Sequence, residues 1–156
     1  MISVVIPTYN EVESLRPLTV ELLDTMRGIG QEFETLFVDD GSRDGTRELM
    51  RQLSDEYPEV RFIGFKENCG QTSAVAAGFK HAKGDIIVTL DADMQNDPRD
   101  IPRLIEKLGE YDMVCGWRQK RRDNLVRRIS SRVANFVRNK LSDEQIVDVG
   151  CSLKAY

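Results

Sequence analysis

Short β-branched runs alternate along this chain with longer stretches in which apolar residues recur at helical spacing. The run Ile2–Ile6, closed by Pro7, is typical of a strand that is buried on both faces. Apolar residues then recur every three or four positions as far as Gly28 and Gly30, where we expect the first helix to end. The same pattern predicts four more strands, at Phe33–Val38, Val60–Phe65, Asp85–Leu90 and Met113–Gly116.

Helical patterns separate these strands. One contains Leu49 and Leu53 and ends at Pro58, and a second, rich in small residues, covers Ser73–Ala82. Asp97 and Pro98 have the residue types of an N-cap and a first helical residue. Strands that alternate with helices predict an α/β fold with a doubly wound, mainly parallel sheet.

Polar residues follow each of the first four predicted strands. In a parallel sheet the carboxyl ends of the strands share one edge, and ligands bind beyond that edge. We therefore expect four loops to meet at one site: Thr8–Glu11, Asp39–Ser42, Asn68–Gln71 and Asp91–Asp97.

The segment from Gly116 to Leu141 differs from the rest of the chain in its charge. It holds nine basic residues and one acid, a net charge of +8 within a chain whose net charge is −4. This asymmetry indicates an anionic partner, which could be a nucleic acid, a phosphorylated ligand or an acidic membrane surface. An apolar stripe at helical spacing predicts a basic amphipathic helix, which either lies at a membrane interface or, as the stripe alone favours, packs on the domain. The stripe consists of Leu125, Ile129, Val133, Phe136, Val137 and Leu141.

The length of 156 residues fits one domain. No apolar run approaches the ~20 residues of a membrane-spanning helix, and the N-terminus lacks the basic start of a signal peptide, so we expect a cytoplasmic location.

Three widely spaced cysteines predict reduced, buried thiols and no disulfide framework or Cys-x-x-Cys zinc site. The single histidine, His81, is expected to be structural and not a catalytic base.

Two acids directly after the fourth strand are candidates for a metal site. Asp91 and Asp93 would point the same way in an extended chain, with Gln95 next in the series. Two carboxylates and an amide oxygen suit Mg²⁺ or Mn²⁺, which prefer oxygen ligands and leave positions for phosphate oxygens. Helix capping is the alternative; it explains Asp97 but not two acids aimed at one point, whose mutual repulsion costs stability.

The loops after the first two strands carry weaker signals. The acidic turn Asp39–Ser42 could accept hydrogen bonds from a base or from ribose hydroxyls, although aspartate-glycine turns are common. Pro7–Glu11 offers an aromatic face with polar edges beside it, but a strand end followed by a helix cap would look similar. A Gly-x-Gly-x-x-Gly motif after the first strand and a P-loop motif are both missing, which argues against dinucleotide oxidoreductases and P-loop NTPases.

Taken in order, these motifs resemble those of the family 2 glycosyltransferases of GT-A fold, whose sheet is Rossmann-like. The likeness covers essentially the whole chain and is greatest to the branch that uses polyprenyl phosphates, which includes dolichyl-phosphate and undecaprenyl-phosphate sugar transferases. It is carried by Pro7–Glu11, Asp39–Ser42, Asp44–Thr46, Asn68-x-Gly70, Asp91-x-Asp93-x-Gln95-x-Asp97-Pro98 and Gly116-x-Arg118.

The resemblance implies roles for individual residues. It assigns the binding of a UDP- or GDP-sugar to Pro7, Tyr9, Glu11, Asp39, Asp40 and Asp91. It assigns a divalent ion on the donor diphosphate, Mg²⁺ or Mn²⁺, to Asp91, Asp93 and Gln95. The acceptor phosphate would be held by Arg118, Arg127 and Ser131.

The resemblance also implies an organisation. Residues 1–116 would form the nucleotide-sugar-binding core, and residues 117–156 an acceptor- or membrane-facing segment of the same domain, at the cytoplasmic face of an anionic membrane. Because relatives continue further, we expect a fragment of a longer protein, which could be inactive.

Two other functions are alternatives to sugar transfer onto a polyprenyl phosphate. One is transfer to a saccharide acceptor, and the other is a non-catalytic nucleotide- or RNA-binding module. A nucleic-acid partner is disfavoured, since the basic segment offers only Trp117 and Phe136 for stacking on bases. The formation of a homo-oligomer stays open.

Overall fold

The computed structural model describes residues 1–117 and 151–156, and the predicted basic helix, with Arg118, Arg127 and Ser131, lies outside them. The chain alternates strands and helices as predicted. The strands are β1 (Ile2–Thr8), β2 (Phe33–Asp39), β3 (Val60–Gly64), β4 (Ile86–Thr89), β5 (Val114–Cys115) and β6 (Lys154–Ala155). The helices are α1 (Val12–Ile29), α2 (Thr46–Glu56), α3 (Gln71–His81) and α4 (Ile101–Lys107), with a 3-10 turn at Pro98–Asp100.

The strands form one sheet in the order β3-β2-β1-β4-β6-β5. The four strands from β3 to β4 are parallel, and Ile2 of β1 lies opposite Phe33 of β2 and Ile86 of β4. β6, which the sequence pattern did not predict, is antiparallel to both of its neighbours. Its two paired residues are too few to show a period, but β6 brings residues 151–156 into the same sheet as the first 117 residues.

Helices cover both faces of the sheet, so the doubly wound arrangement is confirmed. On one face, α1, α2 and α4 pack over a large core that includes Ile6, Leu22, Phe37 and Leu53. On the other face, α3 covers a smaller cluster formed by Val5, Leu36, Val38 and Ala74. β1 is buried on both faces because it lies inside the sheet between these two layers.

Most predicted helix ends are confirmed. α1 ends before Gly30, whose φ of 72° makes it a left-handed cap, but Gly28 lies inside the helix and does not stop it. Asp97 caps the turn that leads into α4, since its side chain accepts the backbone N–H of Arg99. Within residues 1–117, no helix combines the length and apolar character needed to cross a membrane.

The cysteine prediction is partly wrong. None of the three cysteines forms a disulfide, and Cys151 is buried, but Cys115 is half-buried and Cys69 is exposed. Cys69 lies in the loop before α3. Its backbone N–H donates a hydrogen bond to the carboxylate of Asp40, and its thiol donates to the carbonyl of Glu67. This loop runs over the surface, so a small apolar residue there is not drawn into the core.

Candidate active site

The loops after β1, β2, β3 and β4 meet around one cavity of about 320 Å³. This confirms that they converge, because four parallel strands end at the same edge of the sheet. His81, at the other end of α3, is exposed and lies outside the cavity lining. The lining consists of Pro7, Thr8, Tyr9, Glu11, Asp40, Asn68, Gly70, Gln71, Ala74, Asp91, Ala92 and Asp93.

The loop after β1 presents Tyr9 and Glu11 to the cavity. Tyr9 is 45% exposed and lines the cavity, so it offers aromatic surface to a ligand. The carboxylate of Glu11 accepts a hydrogen bond from the hydroxyl of Ser14 at 2.6 Å. The backbone N–H of Glu11 donates to Oγ1 of Thr46 at 2.8 Å, which ties this loop to the start of α2.

Asp44 strengthens the connection between the first two loops. Its Oδ1 accepts the backbone N–H and the hydroxyl of Thr46, and its Oδ2 accepts the backbone N–H of Val12. Desolvation alone would raise the pKa of Asp44, but these hydrogen bonds outweigh it and hold the pKa below its usual value. Through these hydrogen bonds Asp44 links the first residue of α1, Val12, to the first residue of α2, Thr46.

The adjacent acids Asp39 and Asp40 differ in position. Asp39 is fully buried and lies outside the cavity lining; it accepts hydrogen bonds from the backbone of Ser42 and from the guanidinium of Arg47. Asp40 lines the cavity although it is only 4% exposed. Its Oδ1 accepts the backbone N–H of Cys69 at 2.7 Å, and its Oδ2 accepts that of Gly70 at 3.0 Å.

Asp91 and Asp93 both line the cavity, but the extended chain assumed for them is wrong. Residues 92 and 93 form a turn, in which Oδ1 of Asp93 accepts the backbone N–H of Gln95 at 3.0 Å. Met94 has a φ of 57°, which redirects the chain. The structure therefore brings the two acids together at the cavity without placing Gln95 beside them; Gln95 lines a second cavity of about 190 Å³ next to α1.

The donor set fits a hard divalent cation. Within residues 1–117 and 151–156, no group of three His, Cys, Asp or Glu side chains is placed to hold a metal by itself. Two carboxylates that face one cavity, Asp91 and Asp93, suit an ion such as Mg²⁺, which commonly takes one or two protein carboxylates and completes its shell with water and substrate phosphate oxygens.

Several lining residues were not among the predicted site residues. Ala74 lies in α3, outside the four predicted loops, whereas Thr8 and Ala92 belong to loops that the sequence placed at this edge although their residue types indicated no role. Asn68, Gly70 and Gln71 belong to a loop that the sequence placed at this edge, but their residue types alone indicated no role. Gln71 donates a hydrogen bond from Nε2 to Oδ1 of Asp91 at 2.8 Å, a contact between residues 20 positions apart.

Residues 3–156 match the family model described as Glycosyl transferase family 2. The chain is 43% identical over 158 residues to the undecaprenyl-phosphate 4-deoxy-4-formamido-L-arabinose transferase of Pectobacterium atrosepticum, in a match that covers 99% of this chain and 48% of the relative. The transferase of the same name from Salmonella typhimurium is 43% identical over 157 residues, with the same two coverages. The chain thus spans about half the length of the curated relatives it matches.

Among solved structures, the chain is similar to the mannosyltransferase PcManGT from Pyrobaculum calidifontis in complex with GDP-Man and Mn²⁺. The TM-score is 0.62 at 25% sequence identity, and the match covers 99% of this chain and 44% of that one. This likeness confirms the predicted GT-A fold.

Proposed function

Because the chain belongs to glycosyl transferase family 2, we propose that it forms the donor-binding part of an enzyme that moves a sugar from a UDP- or GDP-sugar to a polyprenyl phosphate. The observation that carries the proposal is the cavity at the ends of β1–β4, which collects an aromatic ring and several carboxylates from separate loops. The names of the relatives, which are undecaprenyl-phosphate sugar transferases, support the lipid acceptor.

The nucleotide would lie against the first two loops. Pro7 and Tyr9 supply surface for the base, and Glu11 and Asp40 supply carboxylate oxygens for hydrogen bonds to the base or ribose. Asp39 would support nucleotide binding indirectly. Its carboxylate accepts hydrogen bonds from Ser42 and Arg47 and so holds the turn after β2.

The diphosphate would lie beside Asp91 and Asp93, which would share a Mg²⁺ or Mn²⁺ ion with its oxygens. A bound ion neutralises the negative charge that develops on the leaving diphosphate. Both side chains are already held, Asp91 by Gln71 and Asp93 by the backbone of Gln95, so little rearrangement is needed on binding. Gln95, the third ligand that the resemblance implied, lines the second cavity and is left out of this proposed ion site.

We assign binding of the acceptor phosphate to three residues of the basic segment: Arg118, Arg127 and Ser131. A polyprenyl phosphate is anionic at pH 7, so it can attack the anomeric carbon without a strong general base. Arginines offset the repulsion between an anionic acceptor and an anionic donor and fix their geometry. The reaction would invert the anomeric centre, at the cytoplasmic face of an anionic membrane.

Thermal unfolding with and without donor tests the proposal. UDP-sugars and GDP-sugars, each with Mn²⁺, should include one that raises Tm by about 5 to 10 °C at a concentration roughly 100 times its Kd. Asp93→Ala should abolish the Mn²⁺-dependent part of this shift, because it removes a carboxylate from the proposed ion site. The matched control is Asp24→Ala, at an exposed position of α1.

Two results would count against this function. Either no combination of donor and Mn²⁺ stabilises the wild-type protein, or Asp93→Ala shifts as much as the wild type and the Asp24→Ala control do.

A further inference from the structure

Gln71 joins two of the loops that form the cavity. It is the first residue of α3, and its Nε2 donates to Oδ1 of Asp91, which follows β4. Both residues line the cavity. One oxygen of a proposed metal ligand is therefore held by a side chain from a different loop.

The backbone that carries Gln71 is itself fixed. The carboxylate of Asp40 accepts the N–H groups of Cys69 and Gly70, the two residues directly before Gln71. Gly70 has a φ of 88°, and the hydroxyl of Ser73 donates to the carbonyl of Cys69 at 2.9 Å. A continuous set of contacts thus runs from Asp40 through this turn to Gln71, and from there to Asp91.

An amide is suited to orienting a carboxylate that must also bind a cation. The Nε2 group of Gln71 donates a hydrogen bond but carries no charge, so it restricts the rotation of the Asp91 side chain and leaves its negative charge available. A lysine at the same place would instead neutralise that charge and compete with the cation. In known metal sites, the partners that orient the ligands contribute substantially to metal affinity.

We propose that Gln71 is a positioning residue, which presets Asp91 for a divalent cation and is held in place by Asp40. The proposal rests on the proposed function of this site. It links the loop assigned to the nucleotide with the loop assigned to the diphosphate, since Asp40 lines the cavity and holds the backbone directly before Gln71.

The test measures binding of Mn²⁺ alone, without nucleotide or sugar, by the loss of the electron paramagnetic resonance signal of free Mn²⁺. Gln71→Met keeps the length of the side chain and removes the donor, so we expect Mn²⁺ affinity to fall about tenfold. Gln52→Met is the matched control, because Gln52 is exposed on α2 and lies outside the cavity lining. Tm should be alike in all three proteins, since a purely structural role would lower it in Gln71→Met.

A second measurement repeats the titration with UDP or GDP present. If the wild type and Gln71→Met bind Mn²⁺ equally under both conditions, Gln71 does not position Asp91, and only this inference is overturned. If Gln71→Met weakens binding only when a nucleotide is present, Gln71 contacts the nucleotide itself, which also overturns it. If the wild type binds Mn²⁺ under neither condition, the proposed function fails together with this inference.

Discussion

Gly41 stands where two loops of the cavity come into close contact. Its φ is 77°, a left-handed conformation that side chains rarely adopt. A Cβ atom at this position would lie 2.5 Å from the carbonyl carbon of Glu67 and 2.7 Å from the backbone nitrogen of Asn68. Both neighbours are backbone atoms, which cannot turn aside as a side chain could. The absence of a side chain at Gly41 thus allows the loops after β2 and β3 to approach each other.

Gly41→Ala should therefore destabilise the protein. We expect a loss of about 2 to 4 kcal/mol in the free energy of unfolding, from backbone strain and from the displaced loop after β3. Urea denaturation measures this loss. Gly28→Ala is the control, because Gly28 lies inside α1 and a Cβ atom there would have no atom within 4 Å beyond the helix's own backbone. Alanine should stabilise a helix there by up to about 1 kcal/mol. Equal effects of the two substitutions would contradict this account of Gly41.

Among the elements, the strands are joined at the edge opposite the cavity by a buried carboxylate. Glu34 of β2 lies directly across from Ser3 of β1, whose hydroxyl donates to it at 2.6 Å. The guanidinium of Arg61 in β3 and the backbone N–H of Lys83, shortly before β4, also donate to Glu34. One side chain thus links the starts of four neighbouring strands.

Burial alone would raise the pKa of Glu34, but the hydrogen bonds from Ser3, Lys83 and Arg61 outweigh it and lower the pKa below its usual value of 4.5. A lowered pKa in the folded protein means that the charged form favours folding. This contribution is fully present above about pH 5 and is lost as the pH falls through the folded pKa.

Glu34→Gln should reduce the free energy of unfolding by about 1 to 3 kcal/mol at pH 7, since a neutral amide replaces a hydrogen-bonded carboxylate. The difference from wild type should shrink as the pH falls from 5 towards 3, because the wild-type side chain becomes protonated. Chemical denaturation across this range measures it, with Glu32→Gln at an exposed position as the control. A difference that does not change with pH would show that the charge of Glu34 contributes nothing.

At the scale of the whole molecule, charge is divided between two parts of the chain. The segment from Gly116 to Leu141 carries +8, and the remainder carries −12. Basic residues concentrated in one segment would attract the protein to an anionic membrane surface, and salt would weaken that attraction.

Flotation with liposomes that contain anionic lipid tests this attraction. We expect the protein to float with the liposomes and the variant Arg127→Ala/Arg128→Ala to float several-fold less, because each basic residue near the surface contributes about 1 kcal/mol. The control Arg51→Ala/Arg103→Ala removes the same charge from exposed positions of α2 and α4. If both double variants bind as well as the wild type, the basic segment does not contact the membrane.

Sequence patterns predicted the elements better than the contacts between them. Within residues 1–117 and 151–156, the β-branched runs and helical spacings identified five of the six strands and all four helices, because these patterns report local burial. The two-residue strand β6 had no pattern to recognise, since it forms by pairing with β4 and β5. The same limit applies to Asp91 and Asp93, where an extended chain was expected and a turn is found.

By itself, the sequence determined the alternation of strands and helices, the edge where the loops meet, and the motifs of the family. The alternation depends on interactions between near neighbours along the chain, and the shared edge follows from it because parallel strands end on the same side of a sheet. Tertiary structure alone decided that Asp40 faces the cavity while Asp39 is turned towards Arg47, and that Gln71 reaches Asp91. Such contacts join residues that are far apart in the chain, so they exist only once the order and register of the strands have set the loops side by side.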